Sequence, residues 1–112
     1  MQKNFNEVEF LFPEEIDVEA FLSKSSFEPF SDLAVNYLNA LSKEITKHPK
    51  IRLYPDVATF SFFCRRSNIL SLKKKYFLND VIRLGRGIAF HIAPSNVPVN
   101  FAYSLITGIL AG

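Results

Sequence analysis

Tryptophan is absent from this 112-residue chain, cysteine and methionine occur once each, and glycine occurs only four times. A lone cysteine, Cys64, excludes an internal disulfide and any metal site built on paired thiolates. It also suits a reducing compartment, and the N-terminal MQKNFNEVEF lacks the apolar core of a signal peptide. A cytoplasmic protein without a bound metal is therefore expected. Charge is scarce as well. Charged residues make up 21% of the chain and the net charge is +2, too weak a bias to point to nucleic acid. The run Lys73-Lys74-Lys75 reads as the solvated face of a helix.

From Gly87 to Gly112 there is no Asp, Glu, Lys or Arg. A stretch of that length could span a bilayer, but Pro94, Ser95, Asn96, Pro98 and Asn100 interrupt it with polar groups that lipid would leave unsatisfied. The run after Pro98 is also shorter than the roughly 20 residues a spanning helix needs. Two buried elements are expected in place of one membrane span.

What the chain does have is 48% hydrophobic residues, including twelve Phe, enough for one domain with a ring-rich core. Residues 1–13 look irregular apart from a short strand at Val8–Phe12. Pro13-Glu14-Glu15 introduces a helix over Ile16–Lys24. A second helix begins at Ser31 or Asp32, carries Leu33, Tyr37, Leu41 and Ile45 on one face beside Ala34 and Leu38, and stops at His48-Pro49. Pro55-Asp56 opens a third, expected to run to Tyr76 with its apolar stripe (Val57, Phe60, Cys64, then Ile69, Leu72, Tyr76) slipping near Ser67-Asn68.

The pattern then changes. Val81–Leu84 reads as a short strand, Gly85-Arg86-Gly87 as a turn, and Ile88–Ile92 as a buried strand. Val99–Ala111 reads as a closely packing helix, with Pro98 at its start and Gly108 allowing close approach. The expected fold class is α/β: residues 1–78 mostly helical, and 79–112 a strand–turn–strand–helix unit that needs further strands to cover it. Those further strands would lie beyond Gly112, so the chain reads as the front piece of a larger domain.

Few residues suggest chemistry. Gly85-Arg86-Gly87 fails the dinucleotide fingerprint, because Phe90 stands where a third glycine belongs and the motif precedes the strand. Cys64 lies on an apolar stripe and reads as a packing residue, and Ser95 lacks the glycines of a nucleophile elbow. A lone His91 reads as packing too. Asn96 follows the C-terminal end of the expected strand, where open α/β sheets hold their ligands. Its amide could donate to a developing oxyanion, or it could cap the helix near Pro98; position alone leaves both open.

GIAFHIAPSNVPVNFAYSLITGILAG, residues 87–112, resembles the acyl-CoA (acyl-protein thioester) reductases of bacterial luminescence operons, within the aldehyde dehydrogenase superfamily. Pro94-Ser95-Asn96-Val97-Pro98 corresponds to that superfamily's Pro-aromatic-Asn-Phe-Pro turn, with Ser95 replacing the aromatic. CRRSNILSLKKKYF, from Cys64 to Phe77, is similar to the helix preceding this unit in the reductases.

The resemblance implies the first strand–turn–helix unit of an aldehyde-dehydrogenase-like Rossmann domain and an NADPH-linked reduction of a fatty acyl thioester to an aldehyde. It assigns Asn96 to the oxyanion, and Ile92, Ala93, Pro94 and Ser95 to the nicotinamide-ribose border of the cofactor. His91 supports the strand end. The family's nucleophilic cysteine and its remaining cofactor residues would lie downstream, so the chain alone should be inactive. Implied partners are acyl-CoA or an acyl-protein thioester, an acyl-protein synthetase and a thioesterase, with a homo-oligomeric parent. The alternative from the residues themselves is a non-catalytic interaction or nucleotide-binding module.

Overall fold

The computed structural model describes residues 16–77 and 80–112, and within them every regular element is helical. Five α-helices follow in order: α1 (Val18–Ser23), α2 (Asp32–Lys47), α3 (Pro55–Phe63), α4 (Arg66–Tyr76) and α5 (Asn100–Ala111), with a 3₁₀ turn at Ile51–Leu53. The expected strand at Val8–Phe12 and the Pro13-Glu14-Glu15 helix start lie outside the described residues.

The α/β expectation is overturned. Among the described residues there is no strand, and both Val81–Leu84 and Ile88–Ile92 run without regular structure. A strand takes its hydrogen bonds from a neighbouring strand, whereas a helix satisfies its own backbone. Among the described residues no backbone hydrogen bond joins either apolar run to another extended segment, so neither has a ladder. The expected buried strand is instead exposed, with Phe90 and Ile92 at 88% and 87% of full exposure.

Helix α2 organises the rest. Ser31 caps it, its Oγ accepting from the Ala34 N–H at 3.3 Å. It packs against α3, α4 and α5. Ala34, Val35, Leu38 and Ser42 are its buried residues, while Leu33 and Tyr37 are exposed. Residues spaced by four drift about 40° per step around a helix of 3.6 residues per turn. A stripe that starts on the solvent side at Leu33 and Tyr37 therefore reaches the core only at Leu41 and Ile45, both of which pack against it.

The single helix expected over 56–76 is two helices, broken at Cys64-Arg65. Neither proline nor glycine marks this break. Two asparagines complete it: Asn68 Nδ2 donates to the Phe63 carbonyl at 2.8 Å, and Asn39 Oδ1 accepts from the Arg66 N–H at 3.2 Å. Each satisfies a backbone group that the interrupted helices leave over.

Buried hydroxyls lock α2 to α3. Ser42 Oγ donates to the Ser61 carbonyl at 2.7 Å, and Ser61 Oγ donates to the Ser42 carbonyl at 2.9 Å. Thr46 Oγ1 lies 2.8 Å from Ser61 Oγ. The innermost side chains are aliphatic or sulfur-bearing: Leu38, Ile69, Ile106, Val35 and Cys64. Of the rings, Phe60 belongs to the buried core, and Phe30, Phe63 and Tyr103 pack against it. Tyr103 of α5 meets Phe60 and Phe63 edge-on, with centroids 5.2 and 5.6 Å apart.

The C-terminal end of α5 is closed by three distant amides. Phe30 N–H donates to the Leu110 carbonyl at 2.9 Å, Arg86 N–H to Ala111 at 3.2 Å, and Gly87 N–H to Gly112 at 2.6 Å. Gly85 lies so close to this junction that a β-carbon there would collide with the Phe27 carbonyl oxygen.

Leu38→Ala is expected to destabilise the chain by about 2–5 kcal/mol, and Ser61→Ala by about 1–3 kcal/mol through unpaired partners left in the core. Urea unfolding followed by circular dichroism measures both; a loss under about 0.5 kcal/mol at Leu38 would contradict the α2-centred core.

Candidate functional site

The connector from Ile88 to Val99 carries all the residues singled out for the cofactor and the oxyanion. It is held at three points. Gly87 is bonded to the end of α5, and Val99 is buried at its start. Between them His91 lies over Gly108, where a β-carbon would come within 2.7 Å of the imidazole Nε2. Gly108 does allow a close approach, but to a histidine on an irregular segment and not to a sheet.

Between these anchors the chain bends at Ser95–Val97 and turns at Pro98-Val99 into α5. The helix cap is Val99, with no side chain bonded to the first turn. Its own carbonyl accepts from the N–H groups of Ala102 and Tyr103 at 3.0 and 3.3 Å, and the Val97 carbonyl accepts from the Asn100 N–H at 3.1 Å. Asn96 is therefore not the helix cap. Its side chain is exposed and makes no hydrogen bond among the described residues, so its amide hydrogens are available to an incoming oxygen.

Ile92, Pro94 and Ser95 are likewise exposed, and Ala93 is half-buried. The structure brings these four and Asn96 together only as neighbours along one connector. None of them lines either of two surface grooves found among the described residues, one beside Phe30, Phe63 and Tyr76 and one between α2 and the start of α4.

Cys64 sits at the break between α3 and α4, fully enclosed. Burial pushes its thiol up to about 11, so the thiolate needed for nucleophilic attack is scarce at neutral pH. Burial also raises Tyr103, followed by the effects of a Cys64 thiolate and of Asp56. Ser42, Thr46 and Ser61 form the feature that periodicity did not reveal. Their hydrogen bonds run to each other and to the Ser42 and Ser61 carbonyls, with no imidazole or carboxylate to activate a hydroxyl.

Among the described residues no three His, Cys, Asp or Glu side chains gather as a metal site, and no helix is long and apolar enough to cross a membrane. No protein-family model, curated protein or solved structure matches the chain.

At pH 8 Cys64 should resist a thiol reagent in the folded chain and react once denaturant is added; fast modification of the native chain would contradict its burial. Because its folded pKa lies above the unfolded value, the unfolded thiol ionises first as pH rises. Stability should therefore fall between about pH 9 and 11. Cys64→Ala should flatten that fall without abolishing it, since Tyr103 acts in the same direction. Unfolding midpoints across this range provide the check.

Proposed function

We propose that the chain acts as the N-terminal portion of an NADPH-dependent fatty acyl-CoA or acyl-protein thioester reductase that forms a fatty aldehyde. The resemblance of residues 87–112 to that family supports this reading. The observation that carries it is the uncommitted amide of Asn96, exposed on a connector anchored at Gly87, His91 and Val99.

An oxyanion donor needs N–H groups that are held in place and not already spent on the fold. Asn96 meets the second condition, since Val99 takes over the capping of α5, and the connector that carries it is anchored at Gly87, His91 and Val99. Its Nδ2 donates to the thioester oxygen as negative charge develops there, while a cysteine supplied downstream accepts the acyl group, the substrate C–S bond breaks and the thiol of CoA or of the acyl-protein leaves. When bound, NADPH supplies the hydride. The open backbone of Ile92–Ser95 borders the nicotinamide-ribose. The protein acts in the cytoplasm as a homo-oligomer, alongside an acyl-protein synthetase and a thioesterase.

A non-catalytic interaction or nucleotide-binding module is the second reading. It is favoured by the apolar side chains at Ile82, Leu84, Phe90 and Ile92, each more than four-fifths exposed.

In the natural gene product that carries these residues, Asn96→Ala should lower turnover of a long-chain acyl-CoA by roughly a hundredfold or more, with little change in NADPH affinity. NADPH consumption and aldehyde formation are the readouts. Unchanged turnover would remove Asn96 from the chemistry, and absence of any thioester reduction by the unaltered protein would favour the second reading.

A further inference from the structure

We propose that the groove between α2 and the start of α4 binds a small phosphate-bearing anion, at a site independent of Asn96 and of the reductase reading. The groove has a volume of about 740 Å³. Its lining includes Lys43, Lys47, Arg65 and Arg66, together with Asn39 and Ser67, and contains no carboxylate among the described residues. Lys43 and Lys47 stand four residues apart on α2 and so share a face. Arg65 and Arg66 enter from the break between α3 and α4. In a chain of net charge +2, four cations around one groove are a local concentration of charge.

The partners of these cations hold them without neutralising most of their charge. The Arg65 guanidinium lies 3.5 Å from the centroid of the Phe62 ring. Arg66 Nη1 donates to Asn36 Oδ1 at 2.6 Å. Ring and amide are both uncharged, so each guanidinium is positioned while its full charge stays available. Among the described residues only Lys47 has an ionised partner, Glu44 at 2.8 Å, and that pair is exposed and correspondingly weak. The positive end of the α4 dipole falls at the same two arginines.

The ligand class follows from this donor set. Guanidinium forks match pairs of phosphate oxygens, and the lysines add point charge. A pyrophosphate unit offers enough oxygens for four separated cations, whereas a single carboxylate offers two.

The test is titration of the full 112-residue chain with inorganic pyrophosphate at low salt, followed by amide chemical shifts. Saturable changes centred on Lys43, Lys47 and residues 65–67 are expected, with affinity falling as salt is added. The double substitution Lys43→Gln and Arg65→Gln should weaken binding by roughly tenfold or more. The matched change of charge at Lys74→Gln and Lys75→Gln, outside the groove, should leave affinity within about twofold. Equal weakening by both pairs would reveal diffuse attraction and overturn the site, as would the absence of saturable shifts. The shift map of the unsubstituted chain decides the matter even if a variant fails to fold.

Discussion

The enclosure of one face of α2 is the interaction on which the rest of the structure depends. Leu38 is wholly removed from solvent, Val35 nearly so, and the same helix meets α3, α4 and α5. Each of those helices is too short to be stable alone in water and acquires its stability from this shared contact. The Ser42–Thr46–Ser61 hydroxyls add directionality that apolar contact lacks, because their hydrogen bonds form in only one register of α2 against α3. Cys64 and Ile69 then fill the space on either side of the α3–α4 break, where a charged thiolate would be costly.

Placement of the 80–99 segment follows from that core and not from pairing of its own. The carbonyls at the end of α5 need donors, and Phe30, Arg86 and Gly87 supply them. Phe30 adopts a left-handed backbone, φ 54°, to do so, and its carbonyl accepts from Lys73 Nζ at 3.2 Å. Gly87 also takes a positive φ, 70°, which glycine accepts without strain. Beyond that junction the chain approaches α5 through Ala89 and His91 at Gly108 and through buried Val99. Asn96 thus sits on a tethered span whose ends are fixed and whose polar groups are largely unspent.

Local signals made much of the helical part legible. Ser31 as a cap, Pro49 after the end of α2, and Pro55-Asp56 opening α3 place three boundaries close to where they fall. The break at Cys64-Arg65 showed in the sequence only as the slip of the apolar stripe near Ser67-Asn68, because the residues that complete it, Asn39 and Asn68, act through side chains, one of them from another helix. The buried hydroxyl cluster escaped for a similar reason: serine and threonine on α2 read as surface residues until α3 brings partners. Ile88–Ile92 has the composition of a buried strand, yet composition cannot supply the neighbour a strand requires. At the candidate site the position of Asn96 after an apolar run was visible, and its freedom from capping appeared only when Val99 proved to be the cap.

A helical core centred on α2 holds a connector that has no ladder among the described residues. Residue-resolved amide hydrogen exchange tests it most directly. The account predicts protection across the interiors of α2 and α5 and at Arg86 and Gly87, with Ile88 to Asn96 exchanging at nearly unprotected rates. Alternating protection through Ile88–Ile92, the mark of a paired strand, would contradict it.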